Sequence, residues 1–164
     1  MLIIIQARSN SSRFPNKVFQ EINGKLLIDY AIDAAIQSGL GFCVVIPRND
    51  TKLIEYLELR KINYYQGSEL DVLDRFYQCA KYADSDTIIR LCADTLYTID
   101  DISEQIQLYK KRQKFTYGNG VYICSFDELK NAWTNAKGSH REHVTTYLYH
   151  CVDYPEDVKK WQKE

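Results

Sequence analysis

The chain opens on Leu2-Ile3-Ile4-Ile5-Gln6, four apolar residues in succession, three of them β-branched, and then turns abruptly polar. A strand with one wet face alternates apolar and polar residues; a strand without alternation is buried on both faces. Such a strand needs a layer of helices above it and another below. These few residues already point to a helix–sheet–helix sandwich.

The rest of the chain repeats the theme. Residues 42–46 read as a second buried strand, 62–65 as a short one and 87–91 as another. Between them lie predicted helices at 26–38 (Leu27, Tyr30, Ala31, Ala34 and Ala35 at helical spacing, ended by Gly39), at 51–60 and at 69–83. Residues 18–22 with the Asn23-Gly24 turn form a small extended excursion. Beyond residue 91 the pattern predicts a loop, a helix over 101–112, strand material over 115–124, and helices over 126–133, 140–150 and 155–162. Strands alternating with helices imply one α/β domain spanning 1–164: three layers, a mostly parallel Rossmann-like sheet with helices on both faces. Ligands of such sheets bind beyond the carboxyl ends of the strands, so the loops after Gln6, Tyr65 and Leu91 are where chemistry is expected.

Bulk properties exclude some functions. Lys and Arg number 21 against 22 Asp and Glu, which leaves no basic stripe for a nucleic acid. The five cysteines are odd in number and scattered, without zinc or redox spacing, and indicate a reducing compartment. The first apolar run is too short for a signal peptide, and no stretch reaches the length of a membrane span, so the expected location is cytoplasmic.

The loop after the first strand, ARSNSSRFPNK, carries Arg8, Arg13 and Lys17 among serines and asparagines. Three cations and many small donors at a strand end suit a polyphosphate, although the Gly-Lys-Ser/Thr run of a Walker loop is absent. Composition alone leaves a solvated basic loop as an equal alternative.

Taken in order, QARSNSSRFPNKVF, GSELDVLDRFYQCAK, RLCADTLYTID, SHREHVTTYLYH and CVDYPEDVKKW resemble the successive signatures of the spore-coat polysaccharide cytidylyltransferase family. Its relatives are the acylneuraminate and 3-deoxy-manno-octulosonate cytidylyltransferases. The resemblance implies the nucleotide-diphospho-sugar transferase fold and an enzyme that moves CMP from CTP to a sugar, a keto-sugar acid by preference, with release of pyrophosphate, for surface polysaccharide or glycan synthesis. Ala7, Arg8, Ser9, Asn10, Ser11, Ser12, Arg13 and Lys17 then wrap the CTP phosphates. Asp71 and Arg75 become nucleotide contacts, and Asp94 and Asp153 become ligands of Mg²⁺. Arg8, Lys17 and Asp94 would carry catalysis, and Arg141, Glu142 and His143 would meet the sugar.

The chain departs from the family pattern at several points. Asn10 and Asn16 replace glycines, a change that asparagine's tolerance of positive φ accommodates. Ala93 replaces a glycine and Leu96 a proline, and Ala93 would be strained if its backbone needed positive φ. The stretches 109–121 and 150–152 are shortened relative to the family, which weakens the expectation of a homodimer and of a complete sugar pocket. The alternative reading is a reduced relative that binds a nucleotide or a partner protein without turnover; a third is a nucleotidyltransferase of the same fold that uses another base or an alcohol acceptor. A zinc site at His140, His143 and His150 has helical spacing but lacks a supporting cysteine or carboxylate.

Overall fold

The computed structural model describes residues 1–10 and 14–151, the side chains of His150 and Cys151 excepted. A six-stranded sheet forms the middle layer, in the order β5-β4-β1-β6-β8-β7. The apolar opening run is β1 (Leu2–Gln6), and it pairs in parallel with β4 (Gly41–Pro47) on one side and β6 (Thr87–Cys92) on the other. Its Ile3, Ile4 and Ile5 are wholly buried, as an interior strand requires. β5 (Tyr64–Gly67) extends the parallel part, from Val44↔Tyr64 to Pro47↔Gly67.

Alternate residues of β1 serve two different cores. Ile3 and Ile5 meet α1 (Leu27–Gln37), α2 (Thr51–Leu59) and α4 (Ile99–Arg112), while Ile4 faces α3 (Val72–Tyr82) and α5 (Phe126–Asn135). This is the expected three-layer sandwich. The extended excursion is a hairpin of β2 (Glu21–Ile22) and β3 (Lys25–Leu26), entered through a single 3₁₀ turn at Lys17–Phe19.

Three predicted elements differ from the fold. The strand material over 115–124 is an antiparallel hairpin, β7 (Thr116–Gly118) and β8 (Val121–Ser125), and β8 also runs antiparallel to β6. Asn119 (φ 50°) and Gly120 (φ 76°) make the turn, and an Asn-Gly pair is the residue choice for such a hairpin. The helix predicted from residue 69 begins at Val72, because Asp71 caps it through Asp74 N–H while Ser68 Oγ accepts from Asp71 N–H. The helix predicted over 140–150 breaks into α6 (Ser139–Glu142) and α7 (Thr146–Cys151). Val144, Thr145 and Thr146 are β-branched in succession, a poor sequence for a continuous helix, and Thr146 Oγ1 donates to His143 C=O at the break. The helix predicted over 155–162 lies outside the described residues, among which no helix is long and apolar enough to cross a membrane.

Candidate active site

The chain leaves β1, builds β4 and β5 on one side of it, and then returns to place β6 on the other. The strand order therefore reverses between β1 and β6, and a crevice must open beyond their carboxyl ends. A cavity of about 420 Å³ lies there, lined by Gln6, Arg8, Phe14, Lys17, Val18, Cys92 and Asp94.

The loop after β1 is held from below. Ala7 N–H continues the sheet to Val45 C=O at 3.1 Å, and Asn16 N–H closes the loop on Ser9 C=O at 2.8 Å. Ser9, 4% exposed, gives both of its donors to the buried Asp50: N–H to Oδ2 at 2.7 Å and Oγ–H to Oδ1 at 2.6 Å. The same carboxylate caps α2 by accepting Leu53 N–H at 3.3 Å. Ala7 and Ser9 were expected to wrap phosphates, but their donors are committed to the protein. They set the loop's path, and the cations that line the cavity are Arg8 and Lys17. Asn10 is exposed; Ser11, Ser12 and Arg13 lie outside the described residues. Asn16 takes the left-handed conformation (φ 58°) that replacement of a glycine by asparagine allows.

Lys17 and Asp94 are 77 residues apart in sequence and meet across the cavity, Nζ to Oδ2 at 2.9 Å. Both side chains are more than two-fifths exposed, so the pair holds little energy, about 0–1 kcal/mol, and opens readily for a ligand. The loop that carries Asp94 is braced by Tyr97, whose hydroxyl accepts Cys92 N–H and donates to Gly120 C=O, each at 3.0 Å. Ala93 is buried, donates its N–H to Gln6 C=O at 2.8 Å, and is not among the residues of positive φ. The strain expected from losing a glycine there is absent.

Arg75, on α3, packs against the end of β5 and is 1% exposed. One Nη donates to Ser68 C=O at 2.9 Å, while Nε and the other Nη find no partner among the described residues. A Cβ at Gly67 would stand 2.7 Å from Arg75 Cγ, so glycine there is what lets the side chain pass. Burial, and then the positive charge of nearby Arg8, pull the guanidinium down to about 10. Asp50 and Glu69 offset part of that shift, and two buried donors of the guanidinium stay unused among the described residues. A second cavity, about 520 Å³, opens where Arg48 and Asn49 face Gly67, Ser68 and Glu69.

The remaining predicted residues sit elsewhere. Asp71 Oδ2 accepts from Arg141 at 2.8 and 2.6 Å, and Arg141 Nη1 also donates to Trp133 C=O at 2.5 Å. These two side chains clamp α6 to α3 and α5 and do not line the first cavity, because their polar atoms are spent on one another. Glu142 and His143 are exposed and do not line it either. His140 Nδ1 is bonded to Thr146 Oγ1 at 2.8 Å, and no metal-binding group of three His, Cys, Asp or Glu occurs among the described residues. Asp153 lies outside the described residues.

Sequence reasoning missed Gln6, Asp50, Arg90 and Tyr97. Two of them carried a signal: Asp50 precedes a predicted helix as a cap should, and Arg90 is a charge inside an otherwise apolar strand.

Magnesium fits the donors that are present. It is held by one or two carboxylates together with substrate phosphates and water, and Asp94 is a half-exposed carboxylate facing the cavity that Arg8 and Lys17 share.

Known proteins resemble this chain along most of its length. The family model described as cytidylyltransferase matches residues 2–154. An uncharacterised protein of Methanocaldococcus jannaschii is 33% identical over 89% of this chain and 65% of its own length. The spore coat polysaccharide biosynthesis protein SpsF of Bacillus subtilis is 28% identical over 90% of this chain and 69% of its own. The chain thus spans about two thirds of the length of these relatives. Among solved structures, CMP:2-keto-3-deoxy-manno-octonic acid synthetase complexed with CTP superposes with a TM-score of 0.71, at 16% identity, over 90% of this chain and 83% of that one.

Proposed function

The chain belongs to the cytidylyltransferase family, and on that premise we propose that it transfers CMP from CTP to the hydroxyl of a sugar, a keto-sugar acid, for surface polysaccharide or glycan synthesis. The observation that carries this reading is the meeting of Lys17 and Asp94 across the crevice between β1 and β6, with Arg8 on the same cavity.

In this reading the triphosphate lies along the loop from Ala7 to Lys17. Arg8 and Lys17 bind the two outer phosphates, and Lys17 leaves Asp94 to do so. Arg13 adds a third cation, with Asn10, Ser11 and Ser12 as loop donors. Asp50 fixes the loop through Ser9, so the cations are positioned before the ligand arrives. The unused Arg75 donors suit the two acceptors, O2 and N3, on the pairing edge of cytosine. Uracil offers an N3–H donor instead, which would face a donor.

Asp94 would hold Mg²⁺ together with Asp153, and the ion supplies neutralisation of phosphate charge when bound. The sugar oxygen forms a bond to the α-phosphorus, the α–β bridging bond breaks, and pyrophosphate leaves with its charge offset by Arg8 and Lys17. The hydroxyl proton passes to solvent. No protein nucleophile takes part.

The reduced-relative alternative drew on Ala93, Leu96 and the shortened segments, and the absence of positive φ at Ala93 removes the first of these. Thermal unfolding with CTP, UTP, GTP and ATP, with and without Mg²⁺, tests the reading. At a hundredfold excess over Kd the stabilisation is about 2.7 kcal/mol, a shift on the order of 5–10 °C, expected for CTP with Mg²⁺ alone. Asp94→Ala and Lys17→Ala should each lower pyrophosphate release by at least about 10²-fold. Unchanged release in both variants would place the chemistry elsewhere.

A further inference from the structure

Arg90 is a charged residue in the middle of the sheet. It sits on β6, on the face that bears Ile88 and Cys92, one pleat before the cavity. Its Nε and Nη2 both donate to Gln6 Oε1, at 3.2 and 2.9 Å, and Gln6 lines the cavity. Its guanidinium lies over the ring of Tyr122, 4.8 Å from the centroid, and 6.0 Å from that of Phe76. Tyr117 stacks on Tyr122 at 4.5 Å and remains 39% exposed.

No carboxylate neutralises this cation among the described residues: the four ion pairs involve Lys17, Lys25, Arg60 and Arg141. The ionisable groups facing it are Cys92, Tyr97 and Tyr122, all neutral near pH 7. Its polar partners, the Gln6 amide and the Tyr122 hydroxyl, carry no charge either. Because Arg90 can only donate, the Gln6 oxygen must face it, and this leaves the Gln6 amide N–H groups to other acceptors. A partly buried guanidinium without counter-charge is costly unless something anionic completes it.

Its place says what that anion is. If the leaving pyrophosphate lies on Arg8 and Lys17, in-line displacement brings the acceptor from the opposite side of the α-phosphorus. Taken as that side, the part of the cavity lined by Gln6 and Cys92 has Arg90 directly behind it, bonded to Gln6. The remaining cations near the cavity, Arg8, Lys17 and buried Arg75, are engaged by the nucleotide.

We propose that Arg90, with the Gln6 amide beside it, receives the carboxylate of the acceptor sugar acid and is the residue that selects an acid over a neutral sugar. The fork of Arg90 and the Gln6 N–H donate to the two carboxylate oxygens, and Tyr117 offers its ring to the apolar face of the sugar. The inference rests on the CMP-transfer reading above, and it moves acid recognition from Arg141 to Arg90.

Pyrophosphate release with CTP, Mg²⁺ and either 3-deoxy-manno-octulosonate or its C1 carboxamide separates the two. The wild-type chain should prefer the acid by about 10–100-fold in kcat/KM, the worth of a charged hydrogen-bonded pair. Arg90→Met should erase that preference through KM for the acid, with KM for CTP moving less than about threefold. Gln6→Glu places a carboxylate against Arg90 and should raise the acid's KM by a similar factor. It keeps the side-chain volume and serves if Arg90→Met does not fold. Retention of the acid preference in a folded Arg90→Met, or in Gln6→Glu, overturns the assignment while leaving CMP transfer standing. A wild-type chain that prefers the carboxamide overturns it as well. A wild-type chain that shows neither a CTP-selective thermal shift nor release with any acceptor overturns the parent reading, and this inference with it.

Discussion

Asp50 shows how much one buried carboxylate can organise. It is 7% exposed, accepts both donors of Ser9, and caps α2 through Leu53 N–H. Three hydrogen bonds to one charged group fix the start of the phosphate loop against the next helix, so Arg8 leaves the strand in a set direction. Asp50→Ala should therefore cost about 2–3 kcal/mol by urea denaturation, as the cap and the charge-assisted bonds are lost. Titration calorimetry should also show CTP affinity falling by about tenfold or more. If stability fell but CTP bound as before, the loop would not need this anchor. Arg75 stands for a different kind of information. Its sequence position, mid-helix in an acidic-basic run, reads as a surface charge or a ligand contact equally well. Only the missing Cβ of Gly67, which lets Arg75 pass over the strand end, decides that it is buried with open donors.

The three helices α3, α5 and α6 are joined by a small polar network. Asp71 caps α3 and accepts from Arg141; Arg141 also holds the last turn of α5 through Trp133 C=O; Trp133 Nε1 returns to Asp74 at 2.8 Å. This explains why a motif expected to touch sugar lies away from the cavity: an arginine fork can satisfy a helix end and a carboxylate at once, and here it does. Arg141→Ala should lower the melting temperature by about 2–10 °C, a loss of about 1–3 kcal/mol. KM for the sugar, measured where the variant is folded, should stay within about twofold. A raised KM with an unchanged melting temperature would make Arg141 a substrate contact after all. Strands and most helices were legible because burial leaves its period in the sequence. The break before α7 and the start of α3 were not, since both depend on which of several side-chain oxygens captures a backbone N–H or C=O.

Because alternate residues of β1 feed the cores on both faces of the sheet, neither core can be lost without exposing the other side of the same strand. We therefore expect 1–164 to unfold as one unit, with calorimetric and van't Hoff enthalpies equal, and CTP with Mg²⁺ should move that single transition. Two transitions, only one of them ligand-sensitive, would instead divide the chain into separate domains. Local order along the chain was enough to settle the architecture: uninterrupted apolar runs force strands to be buried on both faces, and helical spacing between them supplies the covering layers. The same local order placed cations after the first strand and a carboxylate after the fourth predicted one. It could not say that Lys17 meets Asp94, that Ser9 serves Asp50, that Arg141 turns toward Asp71, or that Arg90 holds Gln6 from behind the cavity. Those pairings join residues 41 to 84 positions apart. They are decided by strand order and register, which set which side chains stand opposite one another, and no window of sequence contains that information.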